Sequence, residues 1–512
     1  MFRANRTLLI CLLSLGGLPA AAGAGQAGAA QGPSLPLTMN QAVAMALEAN
    51  LGLKAERLNV DIAAHSVAIA KSAFLPTVES SAGRRSAKSV PFDFTEGSSD
   101  ITSTGLSVSG TVRQSLPWYG GGYSLNWSGS RSAQNGGITS FNPRLGSTLQ
   151  LSFSQPLLRG FKLDGERVGL ENAERRRAIT DIQLEQRIVA TETAVRFAYL
   201  NLLAAIEGRK VNEQNLNIAQ QSLNQSRARV EVGQSPQIEI IQSEAQVASM
   251  RERLIFAEAQ IATAEDNLRS LILEPSRPDY WQVQLVPTET IQLTPRDIDL
   301  NAVIATALAN RLDLAVERRS LEITNLNLDL GRNNLLPAVA FNASYLAQGT
   351  GGTQFQFGSG FPPEIISQTQ RSFGSALGDT FGGAYPTWSV GVSVSYPIGR
   401  SAAEASYAQA QVLKRQQEIG IQELQLFIVG QVRDAVRRVQ NSFQRVQAAQ
   451  AARQASQQQL EAEERKFSVG LSTTLELQVR QRDLAGARIT ELDAMIAYNQ
   501  ALINLDRVQK TQ

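Results

Sequence analysis

Few residues of this 512-residue chain could do chemistry. The one histidine, His65, stands between Ala64 and Ser66, and one imidazole cannot make a multi-histidine metal site. The one cysteine, Cys11, lies in an N-terminal apolar run. Gly120-Gly121-Gly122 lacks the Lys and Ser/Thr of a phosphate-cradling loop, so no nucleotide site follows. Arg175-Arg176-Arg177 is basic, but the formal net charge is only +2. The triplet therefore reads as a solvated helix face or the wall of a watery tunnel, not as a nucleic-acid contact. No catalytic residues, cofactor loop or metal ligands emerge, and the chain reads as a conduit rather than an enzyme. Two carboxylates stand out by position. Glu239 and Glu476 follow the turns Val232-Gly233-Gln234-Ser235 and Val469-Gly470-Leu471-Ser472 at one constant offset, 237 residues.

The elements that position these turns come in two copies. Ala46-Leu47, Leu51, Leu53, Glu56-Arg57, Ile62 and Leu75-Pro76 recur 261 residues later as Ala307-Leu308, Leu312, Leu314, Glu317-Arg318, Ile323 and Leu336-Pro337. A register without gaps marks a duplicated unit, with repeats over 36–285 and 286–512. Ahead of them, Arg3 and Arg6, an apolar run and A-x-A-like sites read as a signal peptide over 1–24. The mature chain then has no cysteine, and no later run of ~18 apolar residues. An exported chain of this kind enters a membrane as β-strands.

Each repeat opens with a helix, near 38–74 or 298–335, ending just before a proline that forces extended backbone. Alternating segments follow: Leu106, Val108 and Val112; Tyr123, Leu125 and Trp127; Leu149, Leu151 and Phe153; Val339, Phe341 and Tyr345; Trp388, Val390, Val392 and Val394. The intervening residues are mostly Ser, Thr, Asn and Gly. Export, a polar face almost without charge, and aromatics at segment ends favour a membrane barrel over a soluble sandwich. Gly/Ser-rich stretches near 87–104, 132–146 and 347–386 read as extracellular loops. Proline-free helices over about 164–230 and 401–467 would each span ~100 Å. After the glycine turns, helices of about half that length return over 237–273 and 473–508. Stacked on the opening helix of its repeat, each would match the long one.

Several motifs carry a family likeness. Ala307-Leu308-Ala309-Asn310-Arg311-Leu312-Asp313-Leu314, Gln155-Pro156-Leu157, and Arg465 to Glu476 around the second turn, all in this order, resemble the TolC family of outer-membrane efflux proteins. The resemblance implies a mainly α fold with membrane β: a homotrimeric α/β-barrel, its strands in outer-membrane lipid and its helices forming a periplasmic tunnel. It implies an outer-membrane channel of a tripartite efflux or type I secretion system, working with a periplasmic adaptor and an inner-membrane pump and using no cofactor. The alternative is a periplasmic coiled-coil adaptor of such a system. It further implies that Glu239 and Glu476 line the periplasmic entrance, where three copies would form carboxylate rings that favour cations. Relatives carry a second acid three residues on, where this chain has Val479. Adaptor docking is implied at Val232, Gly233, Ser235, Val469, Gly470 and Ser472. The family pattern is four strands per subunit and a twelve-stranded barrel. Here the first repeat has room for four strands by itself, with residues 117–122 as the turn of an added hairpin. That hairpin would either enlarge the barrel or extend outside the membrane.

Overall fold

The structure, a computed structural model, describes residues 33–91, 100–136, 138–360, 363–399 and 401–509. The expected signal segment lies outside the described residues. β1 (Ser34–Leu37) runs into α1 (Met39–Ala49), whose start is closed by a capping box between Thr38 and Gln41. α2 (Leu51–Ser72) follows at once. The single helix expected over 38–74 is therefore two. Asn50 sits between them with ψ 119°, its side chain accepting the Leu53 N–H as an N-cap. Asparagine competes with the helical backbone for hydrogen bonds and so prefers such breaks.

Beyond Pro76 come four antiparallel strands, β2 (Thr77–Ser89), β3 (Ile101–Ser115), β4 (Gly122–Gln134) and β5 (Phe141–Pro156). The chain leaves the sheet along α3 (Gly165–Glu231), returns in α4 (Ile238–Ile272), and pairs β6 (Gln284–Pro287) in parallel with β1. The second repeat begins with α5 (Leu300–Asn310) and α6 (Leu312–Asn333), again one expected helix broken in two, here at Arg311 with ψ 128°. Then come β7 (Ala338–Phe357), β8 (Ile365–Arg371), α7 (Phe373–Phe381), β9 (Tyr385–Ser395), α8 (Ala402–Ser468) and α9 (Thr474–Gln509).

All the strands from β2 onward except β6 form one sheet, ordered β2-β3-β4-β5-β7. β9 pairs with the lower half of β7, Ala338–Gln348, and β8 with its upper part, Gly352–Phe357. The hairpin β3–β4 is thus part of the wall. Its strands pair with β2 and β5 over all but their last two residues, and its turn reaches the level where strands become helices. There Tyr119 stacks on Phe161 at 4.9 Å, and Gln155 donates to the Tyr119 carbonyl at 2.6 Å. Gly120, at φ 65°, lies so close to the Gly160 carbonyl that a Cβ would fall 2.4 Å from it.

The loop expected over 347–386 is in fact the end of β7, then β8 and α7. Its glycines permit close approach rather than flexibility. A Cβ on Gly349 would lie 1.9 Å from the Ala376 carbonyl, and one on Gly351 2.7 Å from that of Ser372. α7 lies directly on the sheet because those side chains are missing.

The sheet is staggered. Val78, Val112, Leu125, Leu151, Tyr345 and Trp388 form one cross-strand row. Val78 is one residue from the helical end of β2, whereas Trp388 is seven residues from that of β9. Six residues of stagger over five strand pairs, at ~3.3 Å per residue and ~4.8 Å between strands, give a tilt of about 40°, as closed barrels require.

α3 and α8 contain 67 residues each, about 100 Å of helix. Against α3 pack α2 and α4, and against α8 pack α6 and α9, as the composite rods expected from helix lengths. Two equivalent cores fix the junctions. One gathers Leu37, Ala46, Val195, Tyr199, Leu202, Leu268 and Ile272, and the other Ala307, Leu314, Ile428, Val432, Tyr498 and Leu505. The apolar stretch of α3 long enough to pass as a membrane span contains residues buried in the first core.

Candidate functional site

The sheet has two chemically distinct faces. Period-two alternation puts Val112, Leu125, Leu151, Phe153, Phe341 and the β9 residues Trp388, Val390, Val392 and Val394 on one side. Those of β9 are largely exposed, Trp388 at 73%, and Val112, Phe153 and Phe341 are half-buried. A continuous uncovered apolar band of this extent suits contact with lipid and not with water. On the other face, hydroxyls and amides bond across every strand pair. Ser81 meets Ser109 at 2.8 Å, Asn126 donates to Thr111 at 2.6 Å, and Ser128 meets Thr148 at 2.6 Å. Ser154 donates to Asn342 at 2.9 Å, and Asn342 donates to Ser393 at 3.0 Å. Such a face stays wetted, and it also carries the charges of Glu79, Arg85, Arg113 and Arg144.

At the far end of the rods the two glycine turns are built alike. The turn after α3 carries Gly233 at φ 70° and the turn after α8 carries Gly470 at φ 77°. The next N–H in each turn closes back on the helix, Gln234 on the Arg229 carbonyl and Leu471 on that of Lys466, both at 2.9 Å. Nothing lies within 4 Å of a Cβ built on either glycine, so backbone conformation alone demands glycine there. Val232, Val469 and Leu471 are 67%, 68% and 78% exposed at the tips.

The two sequence-nominated glutamates have different surroundings. The Glu239 carboxylate accepts from the Thr474 hydroxyl at 2.8 Å and so ties the first tip to the second. Glu476 points outward, its side chain 52% exposed, with Arg480 at 3.8 Å. Further cross-tip contacts bind the hairpins. The Arg229 guanidinium lies 3.8 Å from the Phe467 ring centroid, and Gln478 donates to Ser243 at 3.1 Å. Sequence reasoning missed Glu463, which is 7% exposed and accepts from Ser472 and, at 3.3 Å, from Lys466. The Ser472 hydroxyl, then the Lys466 ammonium, hold its carboxyl below the usual carboxylate range. Its repeat counterpart is Ser226, which meets Ser243 at 3.1 Å. A neutral pair in one tip is replaced by charge in the other, a difference the sequence offset of 237 exposes once both positions are aligned. Of the three hydroxyl residues after Leu471, Ser472 serves Glu463, Thr473 caps α9 at the Glu476 N–H, and Thr474 serves Glu239. Among the described residues no cluster of three metal-binding side chains forms.

Two outcomes are expected at the tips. Gly233→Ala or Gly470→Ala forces a Cβ into the left-handed region, and each should cost about 1–2 kcal/mol locally. Faster amide exchange of the tip helices would register it. Because Glu463 titrates lower in the folded chain, its contribution is complete above a pH of about 4.3 and is lost as pH falls through the lower folded value. Acid loosening of residues 460–478, followed by exchange corrected for intrinsic rates, should therefore diminish in Ser472→Ala.

Comparison with known proteins places these features. A family model described as "Outer membrane efflux protein" matches residues 42–272 and 303–508, one span in each repeat. The outer membrane efflux protein BepC of Brucella suis is 24% identical over 395 residues, covering 73% of this chain and 75% of that protein. The pyoverdine export outer membrane protein OpmQ of Pseudomonas putida is 29% identical over 166 residues, about a third of each chain. Among solved structures, CusC aligns over 95% of both chains with a TM-score of 0.66 at 15% identity. The Campylobacter jejuni CmeC outer membrane channel aligns over 92% of this chain and 85% of its own with a TM-score of 0.64, also at 15% identity.

Proposed function

The chain belongs to the outer membrane efflux protein family, and from that premise we propose that three copies close their sheets into one barrel and serve as a passive exit duct. The chain is an outer-membrane channel of the tripartite efflux type, which works with a periplasmic adaptor and an inner-membrane pump. The observation that supports closure is the sheet itself. Its apolar face is continuous, its other face is hydroxylic, and β2 and β9 each leave one edge unpaired in the single chain. Unpaired backbone cannot remain in lipid, so each β9 pairs with the β2 of the next copy. A soluble coiled-coil adaptor would share the helical hairpins but has no use for that apolar face.

Six wall strands per chain make this barrel eighteen-stranded, not twelve-stranded as the family pattern implies. At ~4.8 Å spacing and ~40° tilt the backbone diameter rises from about 24 Å to about 36 Å. Cargo moves passively through it, with energy from the pump. We assign 1–24 as a signal peptide and 36–285 and 286–512 as the two repeats. The entrance carboxylate rings come from Glu239, held by the Thr474 hydroxyl, and Glu476, which has Arg480 beside it. The exposed Val232 and Val469, with Gly233, Ser235, Gly470 and Ser472, form the adaptor-facing surface, where small and apolar groups suit helix-tip contact.

A single spin label at Ser128, on the hydroxylic face of β4, reports the bore. Three labels in an eighteen-stranded trimer should lie about 30 Å apart, against about 20 Å for twelve strands. The shorter distance, or an unpaired label on a detergent-free monomer, would contradict the proposal.

A further inference from the structure

Resting on the reading that the apolar face meets lipid, we propose that each subunit holds a phosphorylated glycolipid of the outer leaflet in a built site beside α7. An apolar slot of about 280 Å³ opens on this face, formed by Leu106, Val108, Trp127 and Leu145 and walled by Phe373 at the start of α7. Its floor at Gly129 has no side chain, and a Cβ there would come within 3.1 Å of the Phe373 ring. Trp127 is pinned by its indole N–H, which donates to Ser147 at 3.2 Å, and Thr380 of α7 donates to the Ser147 carbonyl at 3.1 Å. The slot is therefore held open by fixed groups, and its lining is apolar enough to take a hydrocarbon chain.

Arg131 lines this slot, and Arg84 flanks its Leu106 wall on the next strand. Arg84 and Arg131 are both opposite Leu106 in the register, one on either side, so their backbones lie about 10 Å apart. Arg131 is nine residues from the helical end of β4 and Arg84 seven from that of β2. With the tilt of about 40°, Arg84 rises about 18 Å and Arg131 about 23 Å from the strand–helix boundary, in the upper part of an apolar band ~25 Å tall. On the same rim, Lys88 is matched with Asp100 and Arg371 with Asp379, each at 2.6 Å. Arg84 and Arg131 have no carboxylate partner among the described residues and are exposed. Paired guanidiniums beside an apolar slot in the upper part of the band match a lipid that carries phosphates on a sugar and chains below it. α7 forms one side of the site. Its exposed Phe381, and Tyr385 just beyond it, extend the apolar surface along the same rim.

The test uses the assembled oligomer in nanodiscs of phosphatidylethanolamine and phosphatidylglycerol doped with diphosphoryl lipid A, followed by detergent washing and quantification of retained lipid. Wild type should retain roughly tenfold more lipid A than Arg84→Ser/Arg131→Ser, given the usual strength of a basic side chain at a lipid surface. The lysine pair should keep most of the retention, and Val108→Trp, which fills the slot with both arginines present, should lose it. Equal retention by wild type and the serine pair, or retention of phosphatidylglycerol as strong as that of lipid A, overturns the site alone. A wild-type chain that forms no heat-modifiable oligomer in bilayers overturns the barrel reading and this site with it.

Discussion

In hydrocarbon every backbone N–H and C=O must find a partner inside the protein, and the architecture here follows from that demand. The strands satisfy it along every internal ladder, from β2 through β7 to β9. The long rods meet no such demand, because α3 and α8 close their own bonds and can stand in water. The chain therefore changes from sheet to helix where the lipid ends. Proline and glycine mark the crossing: Pro76 and Pro337 on the way in, Pro156 and Gly160 on the way out to α3.

The two repeats obey this rule with unequal strand numbers. Their helices correspond closely, down to the shared glycine turns and the paired cores around Tyr199 and Tyr498. Their strands do not. The first repeat places four strands in the wall and the second two, with β8 and α7 added above. A hairpin can be added without disturbing the rods because its turn returns to the strand–helix boundary, where Tyr119 and Gly120 dock on Phe161 and Gly160. Barrel width is thus set independently of the number of helices beneath it.

Much of this was legible in the sequence because the two periodicities are strong. Alternation from Leu106 to Val112 and from Trp388 to Val394 marked strands and their lipid face, and the proline-free stretches marked α3 and α8 to within a residue or so. The helix breaks at Asn50 and Arg311 were invisible to periodicity, since the apolar spacing continues across them. Gly349 and Gly351 suggested a loop because close packing of a helix on a strand looks, in sequence, the same as flexibility. At the tips, the offset of 237 residues found Glu239 and Glu476, but not that Thr474 occupies one of them. Glu463 lay a full two turns before Gly470, with no local signal that a serine nine residues later would reach it.

The central claim is that one face of the six wall strands meets lipid and the other meets water. Single cysteines walked along β4 and β9 in outer-membrane vesicles, labelled with a charged maleimide, test it most directly. The account predicts period-two labelling: Ser124, Asn126, Ser128, Ser389 and Ser393 react, whereas Leu125, Trp127, Val390 and Val392 do not. Labelling without alternation, or with the two sets exchanged, would contradict it.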